Sequence, residues 1–276
     1  MKKLLLALAC SLGAPAARAQ DVNCALYPPG SPCRRACDLY ESPAREATSQ
    51  GSARSQQYFD EVLALCPTFA AALREKAVPY LKRGDFGTWK KMMDEVVRLQ
   101  PAQYLGYRGW CRFEFLRDYQ GAAADLTRLL ALTHGNAGYS NDGDYDLRIV
   151  LALCKRELGD PRGALAVFNQ CIQANEAQQR VGLYDYLHRG VTRLRTGDYA
   201  GALRDFKREQ GQAKELADTE YYVGLAYRRQ KNKALARQHF VRAEALFQQG
   251  HRRYHDYCEP LDAVYLADIQ QALASR

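Results

Sequence analysis

The sequence predicts an all-α protein, an α-solenoid of about five to six helical hairpins with a C-terminal capping helix. Three observations lead to this prediction. Apolar residues recur at helical spacing, small residues recur at a fixed distance before them, and Gly-Asp pairs separate the two patterns. The 276 residues, 47% hydrophobic and 25% charged, are sufficient for a sizeable apolar core.

The first 19 residues predict a cleaved signal peptide. Lys2 and Lys3 precede a short apolar run, and Ala17-Arg18-Ala19 supplies the small-x-small pattern of a cleavage site after Ala19. In an alternative, a lipoprotein, cleavage would precede Cys10, but the three residues before it only half resemble a lipobox. We therefore expect a periplasmic or secreted protein, and prefer this to a lipid anchor at Cys10.

The net charge narrows the classes of partner. It is +8 for the full sequence, and removal of residues 1–19 deletes three basic residues and no acidic ones, which lowers it to +5. A modest positive charge favours acidic partners. No basic run with interleaved aromatic residues indicates nucleic-acid binding. No later segment has the ~18 consecutive apolar residues of a spanning helix, so we expect no integral membrane segment.

Eight of the nine cysteines follow the expected cleavage site. Residues 20–36 form a segment rich in Pro and Cys. The cysteines near it are either disulfide-bonded, for instance Cys24 or Cys33 to Cys37 or Cys66, or small core residues. Three later cysteines lie inside helical patterns and are expected to be buried free thiols: Cys111, Cys154 and Cys171.

An internal repeat is the strongest signal in the sequence. Five stretches align on the residue after a turn: Phe86, Tyr119, Pro161, Tyr199 and Lys233. Three, seven and ten residues further on, the side chains are almost all apolar, which describes one face of a helix. The exception is Glu209, where we expect that the helix packs differently or ends early. Nine residues before the anchors lie Ala77, Trp110 (with Gly109 beside it), Ala152, Gly190 and Gly224, and a small residue there allows close helix packing.

The turns have their own chemistry. In Gly84-Asp85, Gly159-Asp160 and Gly197-Asp198, Gly can end one helix in a left-handed conformation and Asp can cap the next. The anchors are 33, 42, 38 and 34 residues apart, and the extra lengths correspond to loops at Thr133–Asp144 and Ala174–Gly182.

Three further features complete this description of the elements. Pro79 lies inside a predicted first helix, so we expect a kink there or a helix that begins at Pro79. An earlier, degenerate repeat spans about Cys37 to Pro67. The apolar residues after Tyr254 have helical spacing, which predicts a capping helix within residues 250–276.

This pattern resembles the tetratricopeptide repeat family. The resemblance covers roughly residues 37–249 and is clearest in two stretches, Gly190, Arg193, Tyr199, Ala202 and Phe206, then Gly224, Tyr227, Lys233, Ala236, Phe240 and Ala243. It implies a right-handed solenoid that binds proteins or peptides, with the first helix of each pair lining a concave face. Together with the signal peptide and the N-terminal cysteines, the pattern also resembles exported tetratricopeptide repeat proteins of Bacteroidetes-type bacteria.

The resemblance implies which residues would contact a partner. By the repeat register, the outward positions of the first helices include Arg74, Tyr107, Arg108, His188, Tyr222 and Arg228, with an uncertainty of one residue near Tyr107. Aromatic and Arg side chains are enriched at binding hot spots. Some family members grip carboxylates with Asn and Lys at set positions. Those positions here hold Glu75, Val150, His188 and Tyr222, so that ligand is not predicted.

No motif indicates catalysis. The chain has no nucleophile elbow, phosphate-binding loop or dinucleotide fingerprint, so we predict a non-enzymatic scaffold without a cofactor. Asp142, Asp144 and Asp146 fail the calcium-loop template. The alternative function is a metal- or redox-active periplasmic protein that uses cysteines or the cluster His251, His255 and Cys258, which would share a face if this stretch were helical.

Overall fold

The computed structural model describes residues 22–45, 48–212 and 215–275. The expected signal peptide and Cys10 lie outside the described residues. Thirteen α-helices occur in the described part of the chain: α1 Pro32–Tyr40, α2 Ala53–Leu65, α3 Ala70–Lys82, α4 Phe86–Leu99, α5 Pro101–Cys111, α6 Tyr119–Leu132, α7 Leu147–Glu157, α8 Pro161–Glu176, α9 Asp185–Arg195, α10 Tyr199–Gln212, α11 Ala217–Arg229, α12 Lys233–Gln248 and α13 Leu266–Ala274. The all-α fold class is confirmed. Over these ranges, no helix has the length and apolar character of a membrane span.

The chain divides into two compact units between Pro79 and Tyr80. The division falls inside α3, which continues through Pro79. The helix therefore does not begin at Pro79, one of the two outcomes expected from the sequence.

The first unit has a core formed by α1, α2 and the beginning of α3. Tyr40, Phe59 and Phe69 are buried there, with Tyr40 5.3 Å from Phe69 between ring centroids. Disulfides join Cys24 to Cys37 and Cys33 to Cys66. The sequence left disulfides and core thiols open for these residues, and the structure shows disulfides.

The second unit is built from successive helix pairs. The pairs α5–α6, α7–α8, α9–α10 and α11–α12 pack closely, and α6, α8 and α10 each contact the first helix of the next pair. The five anchor residues are the first residues of α4, α6, α8, α10 and α12. The inward positions that follow them are all buried: Trp89, Met93, Val96, Ala122, Leu126, Leu129, Ala164, Phe168, Cys171, Ala202, Phe206, Glu209, Ala236, Phe240 and Ala243. The repeat register predicted from the sequence is therefore confirmed.

The turns between paired helices behave as predicted. Gly84, Gly159 and Gly197 have positive φ angles of 79°, 85° and 86°, which only glycine adopts readily. The aspartate that follows each glycine caps the next helix. Asp160, for example, accepts a hydrogen bond of 2.8 Å from the Gly163 amide.

A π-helical turn resolves the register near Tyr107. Arg112–Leu116, directly after α5, adopts π geometry, which takes up an additional residue. The small residue of this pair is therefore Gly109, ten positions before Tyr119. A Cβ atom at Gly109 would lie 3.1 Å from Leu126 of α6, so Gly109 allows the close helix contact, whereas Trp110 lies beside it.

Glu209 is buried without ending its helix. It is 1% exposed, and α10 continues to Gln212. Its carboxyl Oε2 accepts a hydrogen bond of 3.1 Å from the Leu187 amide in the first turn of α9. The polar residue thus satisfies one of the amides that a helix N-terminus leaves without an intrahelical partner.

The C-terminal region differs in part from the prediction. A terminal helix, α13, packs on α12 through Ile269 and Ala272. It begins only at Leu266, however, and residues 249–265 form a loop without regular helix. We call this segment the α12–α13 loop. Its polar residues form contacts elsewhere in the second unit instead of continuing a helix.

Candidate binding surface on the first helices of the second unit

The α12–α13 loop lies against the first helices of successive pairs. Its residues contact Glu114 after α5, Arg156 of α7, His188 of α9 and Asp218 of α11. We call the first-helix face the surface formed by these four residues and by the positions that correspond to them in the repeat register, such as Tyr107, which corresponds to His188, and Arg228, which corresponds to Arg156. A segment of polypeptide without regular structure therefore already occupies part of this face.

The contact around Asp262 is a buried carboxylate site. Asp262 accepts two hydrogen bonds from Arg156, of 2.8 and 3.0 Å, and lies 2.7 Å from Nδ1 of His188. Arg195 approaches it at 3.4 Å from a half-exposed position. The side chains of Asp262 and His188 are 0% exposed and that of Arg156 is 1% exposed. Two-point guanidinium–carboxylate pairing fixes geometry as well as charge.

The electrostatics of this site follow from burial and pairing. Burial alone would raise the pKa of Asp262, but the Arg156 guanidinium and His188 hold it below its ordinary value. Burial lowers the pKa of His188 to about 4, although Asp262 acts in the opposite direction. His188 is therefore neutral at pH 7. It donates from Nδ1 to Asp262, and Nε2 has no hydrogen-bond partner among the described residues.

A second contact involves the buried cation Arg253. Its backbone amide donates to Asp218 at 2.9 Å, and its guanidinium donates to the Tyr145 hydroxyl at 2.8 Å. The guanidinium also lies 4.1 Å from the centroid of the Tyr184 ring. Asp218 accepts a further hydrogen bond from the Val264 amide at 2.9 Å, so one carboxylate binds the main chain of the loop near both ends.

A third contact lies in the middle of the loop, where it meets the residues that follow α5. The Cys258 thiol donates to the Glu114 carboxyl at 3.2 Å and lies 3.1 Å from Nδ1 of His255. Burial raises the pKa of Cys258 to about 12, so the thiol is protonated at neutral pH. The guanidinium of Arg117 also donates to the Glu259 carbonyl.

The metal alternative is not supported at the predicted cluster. His251, His255 and Cys258 lie on the loop rather than on a helix, so the shared helical face expected from their spacing does not exist. His251 is exposed, and its carbonyl accepts from the Ala217 amide. Within residues 22–45, 48–212 and 215–275, no group of three His, Cys, Asp or Glu residues could hold a metal ion.

Two of the six predicted partner contacts, Arg108 and His188, are buried rather than exposed as expected. Arg108 forms two hydrogen bonds to Asp125 of α6, of 2.8 and 2.6 Å, and pairs with Asp94 at 2.9 Å. It directly precedes Gly109 and so faces the partner helix of its own pair. Arg189 precedes Gly190 and binds Asp205 in the same way. His188 is covered by the α12–α13 loop, as described above.

The other four predicted contacts are partly exposed. Arg74, in the first unit, forms an ion pair with Glu75. In the second unit, Tyr107 packs against Trp110 with ring centroids 6.1 Å apart, and Tyr222 stacks on Phe206 at 6.2 Å. Arg228 lies 4.5 Å above the Phe240 ring and borders a cavity of about 380 Å³ between α11, α12 and α13.

The residues that hold the loop were missed by sequence reasoning. Arg156 follows Ala152 by four positions, as Arg228 follows Gly224, so the repeat register contained a signal for it. Asp262 and Arg253 had no such signal, because their partners come from helices 35 to 106 residues away in sequence.

Comparison with solved structures identifies the fold. PilF of Pseudomonas aeruginosa aligns with a TM-score of 0.57 at 12% identity, over 87% of this chain and 95% of PilF. PilW, described as a widely conserved type IV pilus biogenesis factor, also aligns with a TM-score of 0.57, at 16% identity over 79% of this chain and 92% of PilW. Both are tetratricopeptide repeat proteins. At such low identity the similarity shows the fold alone.

A tetratricopeptide repeat protein from Parabacteroides merdae matches at 17% identity, over 87% of this chain and 78% of its own, with a TM-score of 0.48. A TM-score below 0.5 leaves the resemblance to exported proteins of Bacteroidetes-type bacteria a prediction. No family model and no curated protein matches the sequence.

Proposed function

We propose that this chain, which has the fold of tetratricopeptide repeat proteins, is an exported scaffold that binds an extended segment of a partner protein on its first-helix face. The observation that carries the proposal is the α12–α13 loop on that face. Asp218 binds two main-chain amides of the loop, and side-chain sites for a carboxylate and a cation lie beside it. A surface that recognises main-chain amides and charges in this way can bind another extended chain.

Export is supported by the N-terminal sequence and by the disulfides of the first unit. Lys2, Lys3 and the Ala17-Arg18-Ala19 pattern are typical of a signal peptide. Disulfides persist in oxidising compartments such as the periplasm and the extracellular space. The two bonds, Cys24–Cys37 and Cys33–Cys66, fit such a location. We propose a periplasmic or secreted protein, with lipidation at Cys10 as the alternative.

The proposal assigns no enzymatic role. Proteins with this fold typically serve as scaffolds. The thiol of Cys154 is buried, and burial raises its pKa to about 12; the pKa of Cys171 is raised still further for the same reason. Such thiols are poor nucleophiles because the thiolate is the reactive form. We therefore prefer a scaffold to the redox alternative.

The test is affinity capture from a cell-envelope extract. A double variant, Tyr107→Ala with Arg228→Glu, changes two partly exposed residues of the first helices. The matched control, Tyr139→Ala with Arg204→Glu, makes the same substitutions at exposed positions outside the first helices, in the α6–α7 loop and on α10. We expect the wild-type chain and the control to retain a partner that the double variant loses, with native helicity in all three by circular dichroism. Equal retention by all three would overturn the proposed binding surface.

A further inference from the structure

The α12–α13 loop is held by charged contacts at a few points. Within the loop, residues 249–265, only Arg253, Asp262 and Val264 are buried, and Val264, two residues before α13, packs with Ala243 and Ile269. The three tyrosines of the loop, Tyr254, Tyr257 and Tyr265, are 70%, 66% and 49% exposed. Apart from Val264, the loop therefore covers the first-helix face without the apolar burial that holds the helices together, and segments with few buried apolar contacts open locally at low cost.

The elements at either end of the loop have apolar contacts of their own. α12 buries Ala236, Phe240 and Ala243, and α13 buries Ile269 and Ala272 against it. Loops of this length without secondary structure are uncommon and are usually functional. Opening of the loop would leave both helices in place and expose the residues that it covers.

Opening would leave two sites of defined chemistry on the first-helix face. One consists of Arg156, Arg195 and neutral His188, which together bind the Asp262 carboxylate. The other consists of Asp218, Tyr145 and Tyr184, which bind the main chain and guanidinium of Arg253. Once Asp262 leaves, the Arg156 guanidinium loses a two-point pairing that a carboxylate of another chain can restore. The open face would therefore bind a chain that supplies a carboxylate and a cation.

We propose that the α12–α13 loop is a releasable internal ligand, and that a partner protein binds in its place through an extended segment carrying an aspartate or glutamate and a basic residue. This inference rests on the proposed function and names the chemistry of the partner. The loop competes as an intramolecular ligand, with an effective concentration in the millimolar range. A partner must bind strongly enough to displace it, which makes the scaffold selective.

The test uses a fluorescent synthetic peptide with the sequence of residues 251–265, added to full-length protein and followed by anisotropy. Asp262→Asn removes the negative charge that pairs the loop with the Arg156 guanidinium. Asp256→Asn, at an exposed position of the same loop, is the matched control. We expect the Asp262→Asn chain to bind the peptide at least tenfold more tightly than the wild-type and control chains. The same peptide carrying Asp262→Asn should bind that variant at least tenfold more weakly. Equal affinities of all three chains for the peptide would overturn the proposal.

Hydrogen exchange of the wild-type chain tests whether the α12–α13 loop opens independently, even if the Asp262→Asn variant fails to fold. The amides of Arg253 and Val264, which donate to Asp218, should exchange at least 100-fold faster than the buried amides of α9. Exchange at the same rate would show that the loop opens only with global unfolding, and the proposal would be wrong. Because neither measurement uses an envelope partner, their outcome is independent of the capture experiment that tests the scaffold function.

Discussion

Arg156 and Asp262, 106 residues apart in sequence, form a doubly hydrogen-bonded ion pair whose side chains are 1% and 0% exposed. The pair joins α7, in the second unit, to the α12–α13 loop near the C-terminus. Its strength depends on the balance between attraction and lost hydration. Removing one partner is the costly change, because it leaves the other charge buried without compensation.

We expect Arg156→Gln to lower the free energy of unfolding by up to about 3–5 kcal/mol, because Asp262 would lose its main cation. Arg195→Gln is the matched control. Arg195 approaches the same carboxylate at 3.4 Å, but its side chain is 48% exposed, and exposed pairs contribute about 0–1 kcal/mol. Urea denaturation of the three proteins measures the difference. Losses of equal size for the two variants would mean that burial does not set the strength of this pair.

The close contact between α9 and α10 gives a second prediction. A Cβ atom at Gly190 would lie 2.5 Å from the Phe206 ring, which is 0% exposed and cannot move without cost. We expect Gly190→Ala to lower the free energy of unfolding by about 1–3 kcal/mol through overpacking. In Gly211→Ala, on α10, the new Cβ meets no atom within 4 Å. The gain in helix propensity should make that variant as stable as the wild type or up to about 1 kcal/mol more stable. Thermal unfolding of both proteins tests the assignment of Gly190 as a packing residue.

The disulfides of the first unit give a third prediction. The Cys33–Cys66 bond closes a loop of 33 residues, and such cross-links typically contribute about 2–4 kcal/mol by restricting the unfolded chain. We expect Cys33→Ala with Cys66→Ala to lower the stability of the first unit by this amount. Cys258→Ala removes a thiol that forms no disulfide and serves as the control. Urea unfolding with and without a reducing agent is the measurement, and a wild-type protein that is insensitive to reduction would contradict it.

The repeat could be predicted from the sequence because its determinants are local. The spacing of Ala202 and Phe206 places both on one helix face, and Gly197-Asp198 ends one helix and caps the next within a few residues. Register, turns and inward positions therefore followed from short-range rules. The π-helical turn after α5 shifts the register of that first helix by one residue. This shift could not be predicted, because a residue inserted within a helix does not change the apolar spacing in the sequence.

The occupancy of the first-helix face could not be predicted in this way. The register placed His188 on the outward side of α9, and the structure covers it with the α12–α13 loop. Its burial depends on Asp262, which arrives from 74 residues further along the chain. Likewise, Arg108 could be assigned to α5, but its pairing with Asp125 depends on which side of Gly109 meets α6. Contacts between distant segments have no periodic signal in a single sequence.

The buried carboxyl group of Glu209 predicts an unusual dependence of stability on pH. Burial raises the pKa of Glu209 to about 8, from an ordinary value of 4.5. Because the folded state holds this proton more tightly than the unfolded state, the contribution of the group is fully present below about pH 4.5. It is lost as the pH rises to about 8, with a slope of up to about 1.4 kcal/mol per pH unit.

Glu209→Gln keeps an oxygen that can accept from the Leu187 amide but removes the titration. We therefore expect the variant to be more stable than the wild type at pH 8, with a difference that shrinks towards pH 5. Urea unfolding of both proteins at pH 5, 6, 7 and 8 is the measurement. His188, whose pKa burial lowers to about 4, makes stability rise with pH between about 4 and 6.5. This effect is common to both proteins, so the difference between them isolates Glu209. A difference that stays constant over this pH range would show that Glu209 is ionised in the folded protein, and that the Leu187 amide and nearby cations outweigh its burial.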